Sequence, residues 1–279
     1  MTFSIVARSA DGAQWGVAVA SKFLAAGAVV PAARAGVGAV ATQSFVNLHY
    51  LPDGLALLAA GVPAQEVVDR LTGADELREQ RQLGVVDADG GSAAFTGAEC
   101  ISWAGSRSGD GYTAQGNCLA GEQVVQAMED AFLASGEDEQ LSHRLLAALR
   151  AGDAAGGDRR GRQSAALIVV SEGGGYGGGS DVLVDLRTDD HEAPVDELVR
   201  LLSLQKLYFG KPAPEDLHPL EDDLAAEVDG LLRGLGYGDD AVPLDERLFD
   251  WMGWSNYEER HVPGHIDVVV LVKLREAAP

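Results

Sequence analysis

The sequence predicts an α+β fold in which two mostly antiparallel sheets pack face to face and are covered by helices. Hairpin signals recur along the chain, which favours antiparallel pairing. Predicted strands and helices come in separate blocks, and the lack of strict β-α alternation argues against a doubly wound sheet or an α/β barrel. The chain of 279 residues is long enough to bury a large core, in one domain or in two of unequal size.

The first half of the chain is predicted to run from strands through two helices and back to strands. In the opening octapeptide, Phe3, Ile5 and Ala7 alternate with Thr2 and Ser4, a pattern typical of a strand with two different faces. The elements predicted up to residue 134 are strands over Met1–Arg8 and Trp15–Phe23, two strands within Gly27–Ser44, helices over Leu51–Gly61 and Pro63–Gly73, a hairpin of Gln82–Val86 with Ser92–Thr96, a strand over Tyr112–Gly116 and a helix over Glu122–Ala134.

The second half is predicted to contain one more helix–strand–strand–helix block and then a separate tail. The elements of this block are a helix over Glu139–Arg150, a glycine-rich loop over Gly152–Arg162, strands over Ala165–Ser171 and Val182–Arg187, and a helix over Pro194–Phe209. A Gly-Lys-Pro-Ala-Pro linker follows, so residues 1–209 are taken as one domain and residues 210–279 as a small helical domain. Helices are expected there over Asp222–Leu235 and His265–Glu276, and either a helix or a turn over Asp245–Asn256.

Composition narrows the classes of function. The net charge of -22 argues against binding to a nucleic-acid backbone or an anionic membrane. No apolar run is long enough to cross a membrane and the start lacks the layout of an export signal, so a cytoplasmic protein is expected. Cys100 and Cys118 lack zinc or C-x-x-C spacing and are expected to be reduced core thiols. The run 189–191 (Asp-Asp-His) has no evident partner ligands, so no metal or other cofactor is expected.

Thr2 is the candidate nucleophile. A small second residue permits removal of Met1, after which the Thr2 hydroxyl is a nucleophile and its own α-amine, with a pKa near neutral, can serve as the base. The alternative is that Thr2 is simply a β-branched residue in a first strand, and the octapeptide taken alone favours that interpretation.

Seven stretches of the first 209 residues are typical of one family. They are Met1–Arg8, Gly16–Phe23, Ala35–Gln43, Arg81–Asp87, Gln115–Asn117, Gly161–Ala166 and Asp185–His191. On these stretches the chain resembles the DUF1028 family, whose fold is assigned to the N-terminal-nucleophile (Ntn) hydrolases. The resemblance implies a four-layer αββα sandwich with a threonine, serine or cysteine at the mature N-terminus, a place that only Thr2 can take.

The resemblance also implies residues around the nucleophile. Proteasome-like members of the class place a strand-to-helix loop there, and Gly116 and Asn117 resemble that junction, where backbone N–H groups or the Asn117 amide would hold an oxyanion. An Asx turn or a helix N-cap is the structural alternative for Asn117. Lys22 and Arg34 are the candidates for the activating cation, which would lower the pKa of the amine; a surface lysine is the alternative for Lys22.

A second loop resembles the class only in part. The segment from Arg160 to Ala166 matches the R-D-x-x-S-G-G loop of proteasome-like members at its arginine and at Ser164. Glycine stands at position 161 where an aspartate is expected, and Asp158 is the candidate to replace it. Arg162 is a candidate to clamp a substrate carboxylate, with a solvated charge cluster as the alternative. The departures leave open an inherited fold with altered or lost chemistry.

Two functions therefore compete. One is an amidohydrolase that cleaves a small amide or peptide-like bond, and the other is a non-catalytic binding or assembly protein that kept the sandwich. The class also implies a homo-oligomer. The tail resembles a small peptidoglycan-binding-like domain over Leu231–Tyr237 and Trp251–Asn256, leading to Ile266, with a muropeptide fragment or a protein as its ligand. Trp251 and Trp254 would stack on a sugar ring or a partner, or else form the core of so small a domain.

Overall fold

A computed structural model describes residues 2–137 and 139–279. Over these residues the chain has eight α-helices and twelve strands in antiparallel sheets, so the predicted class of mixed helices and antiparallel sheets is confirmed. The chain divides into two compact units, Met1–Leu201 and Leu202–Pro279, and the division falls inside the helix Pro194–Phe209. Within the described ranges, none of the helices is long and apolar enough to cross a membrane.

Most of the predicted elements are present, with ends that move by a few residues. In chain order the elements are β1 (Thr2–Arg8), β2 (Gln14–Ser21), β3 (Pro31–Arg34), β4 (Gly38–Ser44), α1 (Tyr50–Ala59), α2 (Ala64–Gly73), β5 (Arg81–Asp87), β6 (Ser92–Thr96), β7 (Gly105–Gly109), β8 (Tyr112–Asn117), α3 (Gln123–Ala134), α4 (Leu141–Ala154), β9 (Ser164–Ser171), β10 (Val182–Thr188), α5 (Pro194–Phe209), β11 (Leu217–Pro219), α6 (Asp222–Gly234), α7 (Leu244–Trp254), β12 (His265–Asp267) and α8 (Val268–Ala277).

Two sheets form the centre of the first unit. One has six strands in the order β10-β9-β2-β1-β8-β7, and the other has four in the order β3-β4-β5-β6. Helices α3 and α4 pack on the six-stranded sheet, α1 and α2 pack on the four-stranded sheet, and β1, β2 and β8 of the first sheet contact β4 and β5 of the second. Each sheet therefore has one face on helices and one face on the other sheet.

Alternation along β1 assigns its two faces to these different neighbours. A Cβ added to Gly152 of α4 would lie 3.3 Å from Phe3 Cδ2, so the glycine lets α4 lie close to the face that carries Phe3. The Ser4 hydroxyl faces the other way and donates to Gln43 of the second sheet at 2.8 Å. Because residues two apart on a strand share a face, Thr2 projects between the two sheets, as Ser4 does.

The interior between the sheets changes from apolar to polar along the strands. Its apolar end contains the buried residues Val6, Trp15, Val17, Val19, Ala39, Ala41 and Val86. Its polar end contains the buried residues Thr2, Ser4, Ser21, Gln43, Gln82, Gln115, Asn117 and Ser164. Thr2 therefore lies where buried polar groups are concentrated.

Two parts of the sequence-based prediction are wrong. It omits β7, because Gly105–Gly109 has no β-branched or aromatic residue to signal a strand. It also treats the tail as purely helical, whereas β11 pairs with β12. The helix expected from His265 begins only at Val268, where Asp267 caps it by accepting a hydrogen bond from Val269 N at 2.8 Å.

The second unit has its own apolar core. The core is made by Val228, Leu232, Leu248, Trp251, Met252, Ile266, Val270, Leu271 and Leu274. Trp251 is 5% exposed and belongs to this core, whereas Trp254 is 81% exposed and does not. The sequence left both a core role and a surface role open for the two tryptophans. Trp251 is a core residue and Trp254 is a surface residue.

Candidate functional site

Four side chains form a row across the end of the six-stranded sheet. The antiparallel register pairs Thr2 with Ser21 on one side and with Asn117 on the other, and it pairs Ser21 with Ser164. Directly paired residues project from the same face, with Cβ atoms about 5 Å apart. Thr2 Oγ1 lies 3.0 Å from Ser21 Oγ, and either hydroxyl can be the donor. The row therefore places a hydroxyl on one side of Thr2 and an amide on the other.

Thr2 is a buried residue and the first of its strand. It is 5% exposed, and β1 begins with it. An amine created by removal of Met1 would therefore stand at the end of the sheet, in the same row as Ser21 and Asn117. The predicted removal of Met1 concerns a residue outside the described ranges.

Buried glutamines form a hydrogen-bonded polar layer next to the row. Gln82 Nε2 donates to the carbonyl oxygens of Gly116 at 2.8 Å and Gly105 at 3.2 Å. Gln43 Nε2 donates to Gln82 Oε1 at 2.8 Å and also lies 3.4 Å from the Thr2 carbonyl oxygen. Because a carbonyl oxygen only accepts, these contacts fix which end of each amide is nitrogen.

The layer in turn orients Asn117. The Gln82 nitrogen is committed to carbonyl oxygens, so its oxygen faces Asn117 and accepts from Asn117 Nδ2 at 2.9 Å. Asn117 is fully buried, and its Oδ1 has no hydrogen-bond partner among the described residues. A buried acceptor without a partner costs about 1–3 kcal/mol, and such groups in folded proteins call for an explanation.

The backbone is strained near the same row. Ser44 and Cys118 have φ angles of 70° and 53°, in the left-handed region that disfavours side chains, and they directly follow Gln43 and Asn117. Ala25, in the loop after β2, also has a φ of 53°. Each such residue costs about 1–3 kcal/mol, and they concentrate at functional sites.

Exposed apolar side chains surround this end of the sandwich. Ser44 and Ile101 line a cavity of about 360 Å³ together with Phe45, Gln80 and Glu99. The Ile101 carbonyl accepts from the backbone N–H of Cys118, so the cavity begins next to the strand end that carries Asn117. The large apolar side chains in the loops after β2 and β4 and before β7 are about half exposed; they are Phe23, Leu24, Phe45, Leu48 and Ile101. These loops are called the mouth below.

A buried ion pair anchors the β4–α1 part of the mouth. Asp75 Oδ2 accepts hydrogen bonds at 2.9 Å from Arg81 Nε, Tyr50 Oη and Asn47 Nδ2. Burial acts to raise the pKa of Asp75, but the hydrogen bonds, that of Arg81 first, lower it overall. Burial and the Asp75 carboxylate raise the pKa of Tyr50. Arg81 also donates to the carbonyl oxygen of Phe45 at 2.6 Å and lies 5.1 Å from the centre of its ring.

Lys22 and Asp158 meet through the backbone. The Lys22 side chain is exposed, and its backbone N–H donates to Asp158 Oδ2 at 2.9 Å. The buried Asp158 carboxylate also pairs with Arg160 at 2.8 Å, so it ties the 158–160 loop to the end of β2. Arg34 pairs with Gly38, at the opposite end of β4 from Gln43, and so lies away from the row.

The remaining predicted residues have structural partners. Arg162 donates to both oxygens of Asp153, at 2.8 and 3.0 Å, and Asp153, Asp158 and Arg162 help to line a cavity of about 710 Å³. Ser164 Oγ donates to the Phe23 carbonyl at 2.6 Å and accepts from Ala26 N at 3.0 Å. The predicted roles of Arg162 in binding and of Ser164 in catalysis stay predictions.

Gly116 and Asn117 belong to a strand rather than to a helix start. Gly116 pairs with Phe3 and therefore lies on the helix-facing side of the sheet. Helix α3 begins at Gln123, with Glu122 as its N-cap, so the alternative role of Asn117 as that cap is wrong. One Asn117 N–H is committed to Gln82, and its oxyanion role stays a prediction.

Sequence reasoning missed Ser21 and the three glutamines of the polar layer. Gln43, Gln82 and Gln115 are fully buried in the strands β4, β5 and β8. Glutamine is rarely buried, so a glutamine inside a predicted central strand is the signal that could have found them.

Comparison with known proteins gives two family matches. A family described as "Family of unknown function (DUF1028)" matches residues 2–198, and one described as "Putative peptidoglycan binding domain" matches residues 208–274. No curated protein matches the chain.

Two of the solved structures that resemble the chain differ widely in their similarity to it. A DUF1028-family protein of Silicibacter pomeroyi, known from its crystal structure, is 31% identical, with a TM-score of 0.67 over 80% of this chain and 88% of its own. Anbu (ancestral beta-subunit) from Yersinia bercovieri is 13% identical, with a TM-score of 0.32 over 72% of this chain and 96% of its own. The second similarity is too weak to carry an argument.

Proposed function

The chain belongs to the DUF1028 family, and on that premise we propose that it is an N-terminal-nucleophile amide hydrolase whose Thr2, bared by removal of Met1, attacks a small amide or peptide-like bond. The observation that carries the proposal is the position of Thr2. It begins β1 and its side chain projects between the two sheets, where its hydroxyl contacts Ser21. On its other side stands the fully buried Asn117 amide, whose oxygen has no partner among the described residues.

The proposed fold is the four-layer αββα sandwich of that class. Helices α3 and α4, the six-stranded sheet, the four-stranded sheet, and helices α1 and α2 follow one another in that order, as their contacts indicate. In such a sandwich a nucleophile at the start of β1 is reached from the end of the two sheets, which here is the end bordered by the mouth.

The chemistry needs only groups that Thr2 supplies. The free α-amine takes the hydroxyl proton while Oγ1 forms a bond to the substrate carbonyl carbon, whose oxygen becomes an oxyanion. The oxyanion then reforms the carbonyl, the C–N bond breaks, and the leaving amine takes the proton from the α-ammonium. An ester on Oγ1 remains. Water, deprotonated by the same amine, attacks this ester and releases the carboxylic acid with Thr2 restored.

The mouth suggests which part of the substrate meets the protein first. The cavity of about 360 Å³ next to the row is lined by Phe45 and Ile101, and the neighbouring loops expose Phe23, Leu24 and Leu48. Apolar surface of this kind favours an apolar group in the substrate.

A second candidate function is a binding or assembly protein that retains the sandwich without catalysis. It is favoured by the 5% exposure of Thr2, and by the fact that a serine hydroxyl rather than a cation contacts Oγ1 among the described residues. The exposed apolar mouth would then be an interface, as in a homo-oligomer.

For the tail, we propose a muropeptide or protein ligand, with the exposed Trp254 as its stacking surface.

A covalent probe separates the two functions. A small apolar β-lactone transfers its acyl group to a nucleophilic hydroxyl without releasing a leaving group, so each event adds the probe's whole mass. We expect one adduct on the folded protein, mapped to Thr2 by peptide mass spectrometry. Thr2→Ser should keep the adduct and Thr2→Ala should lose it, and both small residues permit removal of Met1. Folded protein that lacks Met1 but forms no adduct at Thr2 would contradict the hydrolase and favour the binding protein.

A further inference from the structure

We propose that Asn117 Oδ1 accepts a hydrogen bond from the free α-amino group of Thr2 and thereby directs the lone pair of that amine towards Thr2 Oγ1. The inference rests on the proposed function and deepens it. Asn117 is then a positioning residue for the base. Its amide oxygen holds the amine, whereas the oxyanion prediction relies on its amide nitrogen.

The orientation of Asn117 follows from a chain of hydrogen bonds that begins at the backbone. The carbonyl oxygens of Gly105 and Gly116 accept from Gln82 Nε2, so the Gln82 oxygen must point the other way. That oxygen accepts from Asn117 Nδ2 at 2.9 Å. A flipped Asn117 would bring two amide oxygens together. Its Oδ1 therefore points away from Gln82.

The amide nitrogens of the three buried glutamines each donate to a group other than Asn117. Gln82 Nε2 donates to carbonyl oxygens, Gln43 Nε2 donates to Gln82 Oε1 at 2.8 Å, and Gln115 Nε2 donates to Ser4 Oγ at 2.7 Å. The Asn117 oxygen is left without a partner in a place that is closed to solvent. A fully buried acceptor of this kind awaits a donor that the described residues 2–137 and 139–279 do not supply.

Removal of Met1 supplies that donor at the paired position. Thr2 is the direct cross-strand partner of Asn117, and cleavage of the Met1–Thr2 peptide bond changes its nitrogen from an amide with one hydrogen to an amine with two, or an ammonium with three. Ser21 Oγ lies beside Thr2 Oγ1 from the opposite strand. Thr2 would thus be held on both sides, with its hydroxyl towards Ser21 and its amine towards Asn117.

The proposed hydrogen bond changes the pKa of the Thr2 α-amine, whereas a purely structural role of Asn117 would not. An acceptor stabilises the ammonium more than the neutral amine, so it raises the pKa of the α-amine. Because hydrogen bonds to charged groups are strong, loss of this one should lower the pKa of the α-amine by about one unit or more. An aspartate in its place should raise it.

The test is the pH dependence of carbamylation of the Thr2 α-amine by cyanate, followed on the N-terminal peptide by mass spectrometry. The variants are Asn117→Leu and Asn117→Asp. Thr96→Val is the matched control, because it removes another partner of Gln82, at 2.9 Å, and leaves Asn117 in place. The midpoint of the carbamylation rate against pH reports the pKa of the amine. We expect this midpoint to move down by about one pH unit or more in Asn117→Leu, to move up in Asn117→Asp, and to stay unchanged in Thr96→Val.

Two kinds of result would overturn the proposal, and they can be told apart. Midpoints in both Asn117 variants that equal the control overturn the role of Asn117 alone. Retained Met1 in the intact mass of the wild-type protein overturns the proposed function and this inference together. If circular dichroism shows that Asn117→Leu does not fold, the Asp variant decides, and an unshifted midpoint there has the same meaning.

Discussion

The buried Asp75–Arg81 ion pair next to the mouth allows a prediction of the free energy of unfolding. In the Asp75–Arg81 pair the two side chains are 11% and 8% exposed, and one carboxylate oxygen accepts three hydrogen bonds. Asp75→Asn removes the charge and leaves the Arg81 guanidinium buried without its counter-ion. Breaking a buried pair on one side costs about 3–5 kcal/mol, and we expect the lower end of that range because the amide oxygen keeps part of the hydrogen bonding.

The control is an ion pair of similar chemistry on the surface. In the Glu66–Arg70 pair of α2 the side chains are 51% and 52% exposed. Pairs of this kind contribute about 0.2–1 kcal/mol, so Arg70→Gln should hardly change the free energy of unfolding. Both variants are compared with the wild type by urea unfolding at neutral pH, followed by circular dichroism.

The pH dependence of the stability tests the same ion pair independently. The folded-state pKa of Asp75 is lowered, so its contribution is fully present above the unfolded-state value of about 3.9 and is lost as the pH falls towards the folded-state value. The difference in stability between wild type and Asp75→Asn should therefore be constant from about pH 5 to pH 7 and shrink below about pH 4. A loss no larger than that of Arg70→Gln, or a difference that does not shrink in acid, would refute the reasoning.

Two further predictions concern the mouth and the tail. Phe45→Ser should slow labelling of Thr2 by a β-lactone with a long apolar chain several-fold, and labelling by a short-chain lactone much less. Leu133→Ser removes an equally exposed apolar side chain from α3 and should change neither rate. Equal slowing of both lactones by Phe45→Ser would contradict a substrate contact at Phe45. Trp251→Ala should destabilise the second unit by about 3–5 kcal/mol and Trp254→Ala by less than about 0.5 kcal/mol. Trp254→Ala should still weaken binding of a muropeptide fragment in calorimetry, and unchanged affinity would remove Trp254 from the binding surface.

Local patterns in the sequence were sufficient for most elements of the fold. The two strands within Gly27–Ser44 and the hairpin formed by β5 and β6 were predicted from β-branched residues, glycines and turn signals, and they are present. Gly105–Gly109 was missed because it becomes a strand only through pairing with β8, which no local signal encodes. The cap at Asp267 likewise shortened a helix whose apolar periodicity suggested an earlier start.

The chemistry of single residues pointed only to Thr2, and the family resemblance added Asn117 and Ser164. Thr2 could be singled out because a nucleophile and a base can share one N-terminal residue. Its neighbours depend on register, which brings Ser164 beside Ser21 and Asn117 beside Thr2 from distant parts of the chain. The partner of Arg162 was hidden for another reason, because α4 continues through Asp153, in a stretch that the sequence indicated as loop.

The intact mass of the purified protein, with sequencing of its N-terminal peptide, tests the central claim most directly. If Thr2 is the nucleophile and the base, the chain must begin with a threonine that carries a free amine, and we expect a single species without Met1. A protein that keeps Met1, or whose Thr2 amine is blocked in the folded and purified state, would contradict the account.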